Sequence, residues 1–480
     1  MAKDEAGGEP SAPGWPALLV LPIMALAFYL AFIPHQDYPY PVHIDDWVHL
    51  ANAEAIMKAG GVSYTEPFFG LGSVGPGNNL ELGFQLFWGV FQRISGLDWM
   101  TIFRYFPSVL LAMTVLAVYV AARRLGFGWE AALFAALVPT TVGILGPAFL
   151  VPVAMGLLFV ALAIFVAICF RGWKNYLVLF VFTCFLVAIH APSAICLVII
   201  LAPYVLLNLR GEPRHSLGLG LALALPFLAP FPWIFRMLPE TAGQLLTPQP
   251  LPTYVDFPMI IKTYGYVPVA LCLLGVLALA FRGGRRNYGL VLGLLALLLM
   301  LVVFYVLHYG ISILYERGLM FMMLMTGILA GAGLMAVRTL RWKAMPALRY
   351  LGWTAAAVLV AVTLFIAVPV RSHLPYYHMI ETADYQDFTW IRDNIGETYT
   401  RAILDPWKAT PFAAVTGKYV YTRIHAFPTD SDVRASRFLA EGCADTAFLR
   451  ENDIGIVYTR GECRNPDLTR VADGVYLLEE

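Results

Sequence analysis

The segment HIDDWVHLANAEAIMKAG, residues 43–60, sets two carboxylates, Asp45 and Asp46, close to two imidazoles, His43 and His49. Trp47, Leu50 and Met57 keep helical spacing between Asp46 and Lys58, which puts the acids at the start of a helix. A carboxylate so placed can act as a general base or as a metal ligand. It can also be an N-cap, because Asp accepts from the free backbone N–H groups of a first turn. One acid suffices for a cap, and the second invites another role. The segment HYGISILYERGLMF, residues 308–321, sets Glu316 and Arg317 in apolar surroundings. Charges there are costly and tend to mark function. A guanidinium suits the oxygens of a phosphate, which it can grip bidentately. The plainer alternatives are a local Glu–Arg pair or an Arg that reaches to an interface. Arg104 and Arg236 are further phosphate-ligand candidates, and Lys262, His190 and His308 join His43 and His49 as candidate lining of a polar cavity. A lone His at the end of a helix is also an ordinary hydrogen-bonded packing residue.

These residues sit among apolar runs. The chain has 480 residues, 59% hydrophobic and 13% charged, against roughly 45–50% and about 25% for a soluble domain. Runs near 20 residues match the thickness of a bilayer core. The pattern predicts eleven spans, at about 15–34, 101–122, 130–146, 149–170, 176–191, 193–209, 217–237, 264–281, 288–308, 314–337 and 350–370. The first is too long for the apolar region of a signal peptide and reads as a retained span. Net charge is zero, with no basic stripe, so nucleic acid is not an expected partner.

The loops predict the orientation. Arg123, Arg124, Arg171, Lys174, Arg210, Arg214, Arg282, Arg285, Arg286, Arg338, Arg341, Lys343 and Arg349 all fall on alternate connections. Basic residues stay cytoplasmic in short loops, so residues 1–14 form a cytoplasmic tail and residues 15–370 a transmembrane domain. Its outer loops are 35–100 and the Pro-rich 238–263. Residues 371–480, where charges return, form an outer domain of mixed helix and strand. Helix is expected at Asp384–Asn394, and strands at Arg401–Asp405, Tyr419–Arg423, Ile454–Thr459 and Val475–Leu478. In the first outer loop, Leu80 to Ile94 and Asp46 to Lys58 read as amphipathic helices on the membrane surface. By this topology the acids of the first loop and eight of nine histidines face outward, so an active site would face outward too. Cys443 and Cys463 fall in the outer domain, where a disulfide is expected and two free thiols are the alternative.

The stretches HIDDWVHLANAEAI and ISGLDWMTIFRYFPSVLLAMTVLAVYVAARRLGFGWEAALFAALVP together resemble the GT-C superfamily of membrane glycosyltransferases. Oligosaccharyltransferase catalytic subunits and polyprenyl-phosphate-sugar-dependent transferases belong to it. Their shared pattern is a first span, a long outer loop opening on acids, two interfacial helices, a second span with an Arg near its start, and a basic turn. DYQDFTWIRDNI and AILDPWKATPFAAVTGKYVY resemble the start of the outer domain in several members. The likeness covers residues 15–140 well, the later spans by topology, and 380–425 loosely. Asp45 and His49 match the oligosaccharyltransferase spacing of an Asp and a His or Asn four residues on, and His43 stands where a preceding acid often lies.

The resemblance implies an α-helical polytopic membrane protein of about eleven spans with a small extracytoplasmic α/β domain, in the plasma membrane of a prokaryote. It implies an inverting transfer of a sugar from a polyprenyl-phosphate or polyprenyl-diphosphate donor to a glycan, lipid or protein acceptor outside the bilayer. Asp45 or Asp46 would be the base and Arg317 the ligand of the carrier phosphate. The turn GILGPAFLVPVAMG has no acid where oligosaccharyltransferases carry a second acidic motif, and no WWDYG-like motif follows. Both departures speak against protein N-glycosylation and against a firmly held divalent cation, Mg or Mn. Two other classes remain open: a transporter or flippase of a lipid-linked solute, and a non-catalytic relative that binds glycans. Transporters place ionisable groups near the bilayer midplane and often show repeats; here the charges lie at the rim and no repeat is seen.

Overall fold

Inside a bilayer every backbone N–H and C=O must find its partner within its own segment, so apolar runs become helices. The computed structural model of the chain describes residues 15–141, 143, 145–228, 243, 245, 247–248, 255–340, 350–372, 376–424 and 427–479. The chain divides into two compact units, one of residues 1–36 and 105–375, the other of 37–104 and 376–480.

The first unit is helical. Seven helices among the described residues, counting Trp99–Arg123, which starts in the other unit, are long and apolar enough to cross a membrane. An eighth span forms if Phe257–Tyr264 and Tyr266–Arg282 count as one segment bent by 93°. The expected count of eleven differs for physical reasons. The run 130–146 gives only the short helix Gly128–Ala136, because Pro139, Gly146, Pro147 and Pro152 follow and break it. The run 176–191 gives the 17-residue helix Trp173–Ile189. The run 217–237 gives Pro213–Ala224 and a tight turn at Leu225–Leu228, and residues 229–237 lie outside the described ones.

The helix Ser312–Arg338 runs through the middle of this unit, almost wholly buried from Gly318 to Leu334. Small residues let its neighbours approach. A Cβ on Gly333 would stand 1.9 Å from the Leu271 carbonyl oxygen, and one on Gly275 would stand 1.9 Å from that of Leu329. A Cβ on Gly331 would meet the Ala131 backbone at 2.4 Å. With no hydrophobic drive between helices in lipid, such close backbone packing is what holds them together. Charge pairs tie the helix ends. Arg338 meets the buried Glu130 at 2.7 Å and stacks over Trp353 at 4.8 Å. Glu212 bridges Arg171 and Arg285, each at 3.1 Å.

The second unit joins the first long loop to the C-terminal segment. Its five-stranded sheet runs Tyr419–Val420, Arg401–Ile403, Ile456–Tyr458, Val475–Leu478, Leu468–Ala472. The first three strands are parallel and the last two antiparallel to their neighbours. Helices Thr382–Asn394, Pro406–Thr416, Asp430–Ala440 and Thr446–Glu451 accompany it. Ile403, Phe438, Leu449, Val457 and Tyr476 share its core. Cys443 and Cys463 are joined by a disulfide, their Cα atoms 5.1 Å apart.

The loop adds helices Ile44–Ala59 and Leu82–Ser95 and a small hairpin of Tyr64–Thr65 with Ser73–Val74. The loop is stitched to the C-terminal segment by backbone bonds, Val420 N–H to the Phe68 carbonyl at 2.7 Å and Tyr377 N–H to that of Val42 at 3.1 Å. Ile44–Ala59 packs against both Leu82–Ser95 and Pro406–Thr416. Trp47, Leu50 and Ile56 are therefore buried in protein, a correction to the expectation of a helix lying on the membrane surface. Leu82–Ser95 keeps Phe87, Val90 and Ile94 exposed along one face, the pattern expected of such a helix.

Candidate functional site

The helix Ile44–Ala59 begins at His43, which is extended and caps it: the Asp45 N–H donates to His43 Nδ1 at 3.1 Å. Neither acid is therefore the cap, and both stand in the first turn. There the free N–H groups and the helix dipole favour negative charge. The two differ in access. Asp46 is buried, while the Asp45 side chain is 40% exposed. His43 is buried with its ring 5.4 Å from that of Tyr377. His49, one turn after Asp45, is buried with its ring edge-on to Phe84 at 4.9 Å. The carboxylates and imidazoles thus occupy two successive turns of one helix.

The same unit brings in Arg423, which sequence reading passes over as a site residue, and Glu66, one of the acids of the first loop. Arg423 lies just past the strand Tyr419–Val420, with its guanidinium 4.2 Å from the centre of the Phe68 ring. Its Nε is buried without a hydrogen-bond partner among the described residues. Burial pushes this guanidinium down from its usual value, and the nearby Glu66 and Asp45 carboxylates pull it back up. Glu66 is held in place by the Phe68 and Phe69 N–H groups, which donate to its Oε2 at 3.1 and 2.6 Å. A lone Arg after a short strand carries no local signal; the crossing of the first loop over the sheet edge brings it toward Asp45.

A cavity of about 650 Å³ opens in this unit, lined by the later turns of Ile44–Ala59, the Glu66 turn, Trp99, Tyr385 and the end of Pro406–Thr416. Of the residues expected at a site, none but the helix bearing Asp45 and Asp46 contributes to it, through Leu50 to Ala59.

The remaining expected residues belong to other places. Arg104 is half-buried in Trp99–Arg123. In the helical unit, Glu316 and Arg317 lie in the first turns of Ser312–Arg338, both half-buried. Arg317 Nη1 is buried without a hydrogen-bond partner among the described residues. His308 ends Arg285–Leu307 in a left-handed conformation, φ 62°. Next to them the Tyr305 hydroxyl donates to Asp256 at 2.6 Å, and that of Tyr315 to the Val255 carbonyl at 3.1 Å. His190 is buried between two helices with Nδ1 2.6 Å from Ser193 Oγ. Lys262 is exposed on Phe257–Tyr264. Arg236 lies outside the described residues. Among the described residues no group of three His, Cys, Asp or Glu side chains converges.

No protein-family model matches the chain, and no curated protein matches it by sequence. Solved structures do match in fold. The oligosaccharyltransferase AglB from Archaeoglobus fulgidus, in complex with an inhibitory peptide and a dolichol-phosphate, superimposes with a TM-score of 0.62 at 12% identity, over 92% of this chain and 69% of that one. ArnT from Cupriavidus metallidurans bound to undecaprenyl phosphate does so with a TM-score of 0.57 at 13% identity, over 98% of each chain. The arabinofuranosyltransferase AftD from Mycobacteria gives 0.56 at 14% identity, over 98% of this chain and 40% of that one. The chain has the GT-C fold. It is a polytopic membrane protein with a small sheet in its second unit. At such identities the likeness carries the GT-C architecture and leaves individual residues to be argued from this chain's own geometry.

Proposed function

We propose that this GT-C protein is a glycosyltransferase that moves a sugar from a polyprenyl-phosphate or polyprenyl-diphosphate carrier to an acceptor, with inversion. The observation that carries the reading is the pair of acids in the first turn of Ile44–Ala59, relieved of the capping role by His43 and set within reach of the Arg423 charge. Asp45 is favoured as the base because its carboxylate is accessible, whereas Asp46 is closed off. It takes the proton of the acceptor hydroxyl as that oxygen bonds to the anomeric carbon. The carrier phosphate departs with the electron pair of the broken C–O bond. Arg317, in the helical unit, is the candidate ligand of a carrier phosphate. Arg423 offsets the negative charge of Asp45 and Glu66. AglB and ArnT, whose structures hold dolichol-phosphate and undecaprenyl phosphate, support a polyprenyl carrier. The basic connections support a cytoplasmic N-terminus and an outward-facing second unit in a plasma membrane.

Binding and turnover separate the assigned roles. Arg317→Ala is expected to weaken retention of undecaprenyl phosphate by the purified protein in lipid nanodiscs at least about tenfold. Asp45→Asn is expected to retain it and lose transfer. Equal carrier binding in wild type and Arg317→Ala removes Arg317 from the mechanism, and carrier binding with unimpaired turnover in Asp45→Asn removes the base.

A further inference from the structure

We propose that the cavity of about 650 Å³ in the second unit is a binding site for the neutral part of a glycan. The volume lies within the range of small-molecule pockets, roughly 300–1,000 Å³, and its walls have the chemistry of sugar recognition. Three aromatic residues line it, Trp99, Tyr385 and Tyr419, offering faces for the C–H side of a pyranose or furanose ring. All three are held. The Trp99 indole N–H donates to Glu54, and its ring packs 6.0 Å from that of Phe103. Tyr385 lies 4.9 Å from Tyr40. The Tyr419 ring lies flat against the backbone at Gly70, where a Cβ would stand 2.7 Å from the ring and φ is +70°. Only a glycine fits there, so the turn of the first loop is shaped around that ring.

The polar groups decide the ligand class. Glu54, Glu66 and Asp98 line the cavity together with Lys58 and Arg392, and the Arg392 guanidinium is already paired with Asp393 at 2.8 Å, so an anionic headgroup is repelled on balance. A lipid tail is excluded by the same groups, which it would strip of water without pairing. Vicinal hydroxyls, by contrast, can donate to a carboxylate and accept from a guanidinium at once. Glu66 in the cavity wall and Asp45 both act on Arg423. Naming the bound glycan as the acceptor's rests on the transferase reading; the binding itself does not.

The test uses the full chain in lipid nanodiscs and saturation-transfer NMR with three soluble probes, trisaccharides of mannose, glucose and arabinose, and with glycerol phosphate as the anionic control. At least one trisaccharide is expected to take up saturation at millimolar concentration. Trp99→Ala and Tyr419→Ala are each expected to weaken that binding about tenfold, the scale of one lost ring contact. Trp99→Phe, which keeps a ring, is expected to retain it and so controls for folding. The proposal is overturned if no trisaccharide binds, if neither Ala substitution weakens binding, or if glycerol phosphate binds in their place. Trisaccharide binding that persists in Asp45→Asn alongside lost transfer supports both readings. Sugar transfer by a protein that binds no trisaccharide sinks the cavity proposal alone.

Discussion

At Asp45 the decisive detail is a neighbour. Sequence alone leaves an Asp at a helix start open to two roles, and the His43 ring settles the capping one by accepting from the Asp45 N–H. That detail was not legible, because His is not among the favoured N-cap residues. Asp45→Asn keeps the shape and removes the proton acceptor, and is expected to lower transfer about a hundred- to ten-thousand-fold. Expression and thermal stability measured beside the rate should stay near wild type; a stability loss without a rate loss would return Asp45 to a structural role. Arg423 gives a second residue-scale expectation. Its guanidinium is stacked on the Phe68 ring and its Nε is buried without a hydrogen-bond partner among the described residues. Arg423→Gln is expected to lower the transfer rate while carrier binding stays near wild type. An unchanged rate would show that Arg423 does not serve the base.

Elements were legible where one period or one cap decided them. The spacing of Trp47, Leu50 and Met57 predicts the helix that forms at Ile44–Ala59, and the strand expected at Val475–Leu478 forms there. The strand expected to run to Asp405 stops at Ile403, because Asp405 caps Pro406–Thr416 by accepting from the Trp407 N–H at 3.0 Å. An Asp followed by Pro is a start signal for a helix, and that helix is the surface on which Ile44–Ala59 rests. The packing of Gly275 and Gly333 was not legible, since small residues in a span announce close approach only once their partner is known. Gly333→Val is expected to destabilise the protein by about 1–3 kcal/mol or more, because the obstacle is the Leu271 carbonyl and not a side chain that can swing away. An unchanged melting temperature in nanodiscs would contradict that packing. In the sheet unit, Asp384 is fully buried and meets Lys408 at 2.8 Å and the Tyr458 hydroxyl at 2.7 Å. Burial works against its charge, and the Glu381 N–H, Lys408 and Tyr458 outweigh burial and hold the carboxyl below its usual range. A depressed carboxylate stabilises the fold above its unfolded value, about 3.9, and loses that contribution only as pH falls through the lower native value. Asp384→Asn is therefore expected to cost about 3 kcal/mol, equally at pH 5 and pH 8. A penalty that vanishes at pH 5 would mean the shift runs the other way.

At the scale of the molecule, the placement of Lys and Arg predicts the sidedness of the membrane. Single cysteines added at 282–287 are expected to resist an impermeant thiol reagent in intact cells, and those at 60–80 and 430–470 to react. Labelling of 282–287 from outside would invert the orientation and with it the outward-facing chemistry. The fold was legible because bilayer physics writes spans and basic turns into sequence; the short helix in the run 130–146 was not, because composition alone counts the run as continuous past Pro139. The central claim is transfer from a lipid-linked donor. It is tested most directly by incubating the purified chain in vesicles with radiolabelled sugars on undecaprenyl phosphate and with an envelope extract as acceptor source, and following label from the lipid phase into acceptor. Wild-type protein is expected to move label from at least one donor, and Asp45→Asn to move at least about a hundredfold less. No transfer from any donor by wild-type protein, or equal transfer by Asp45→Asn, would contradict the account.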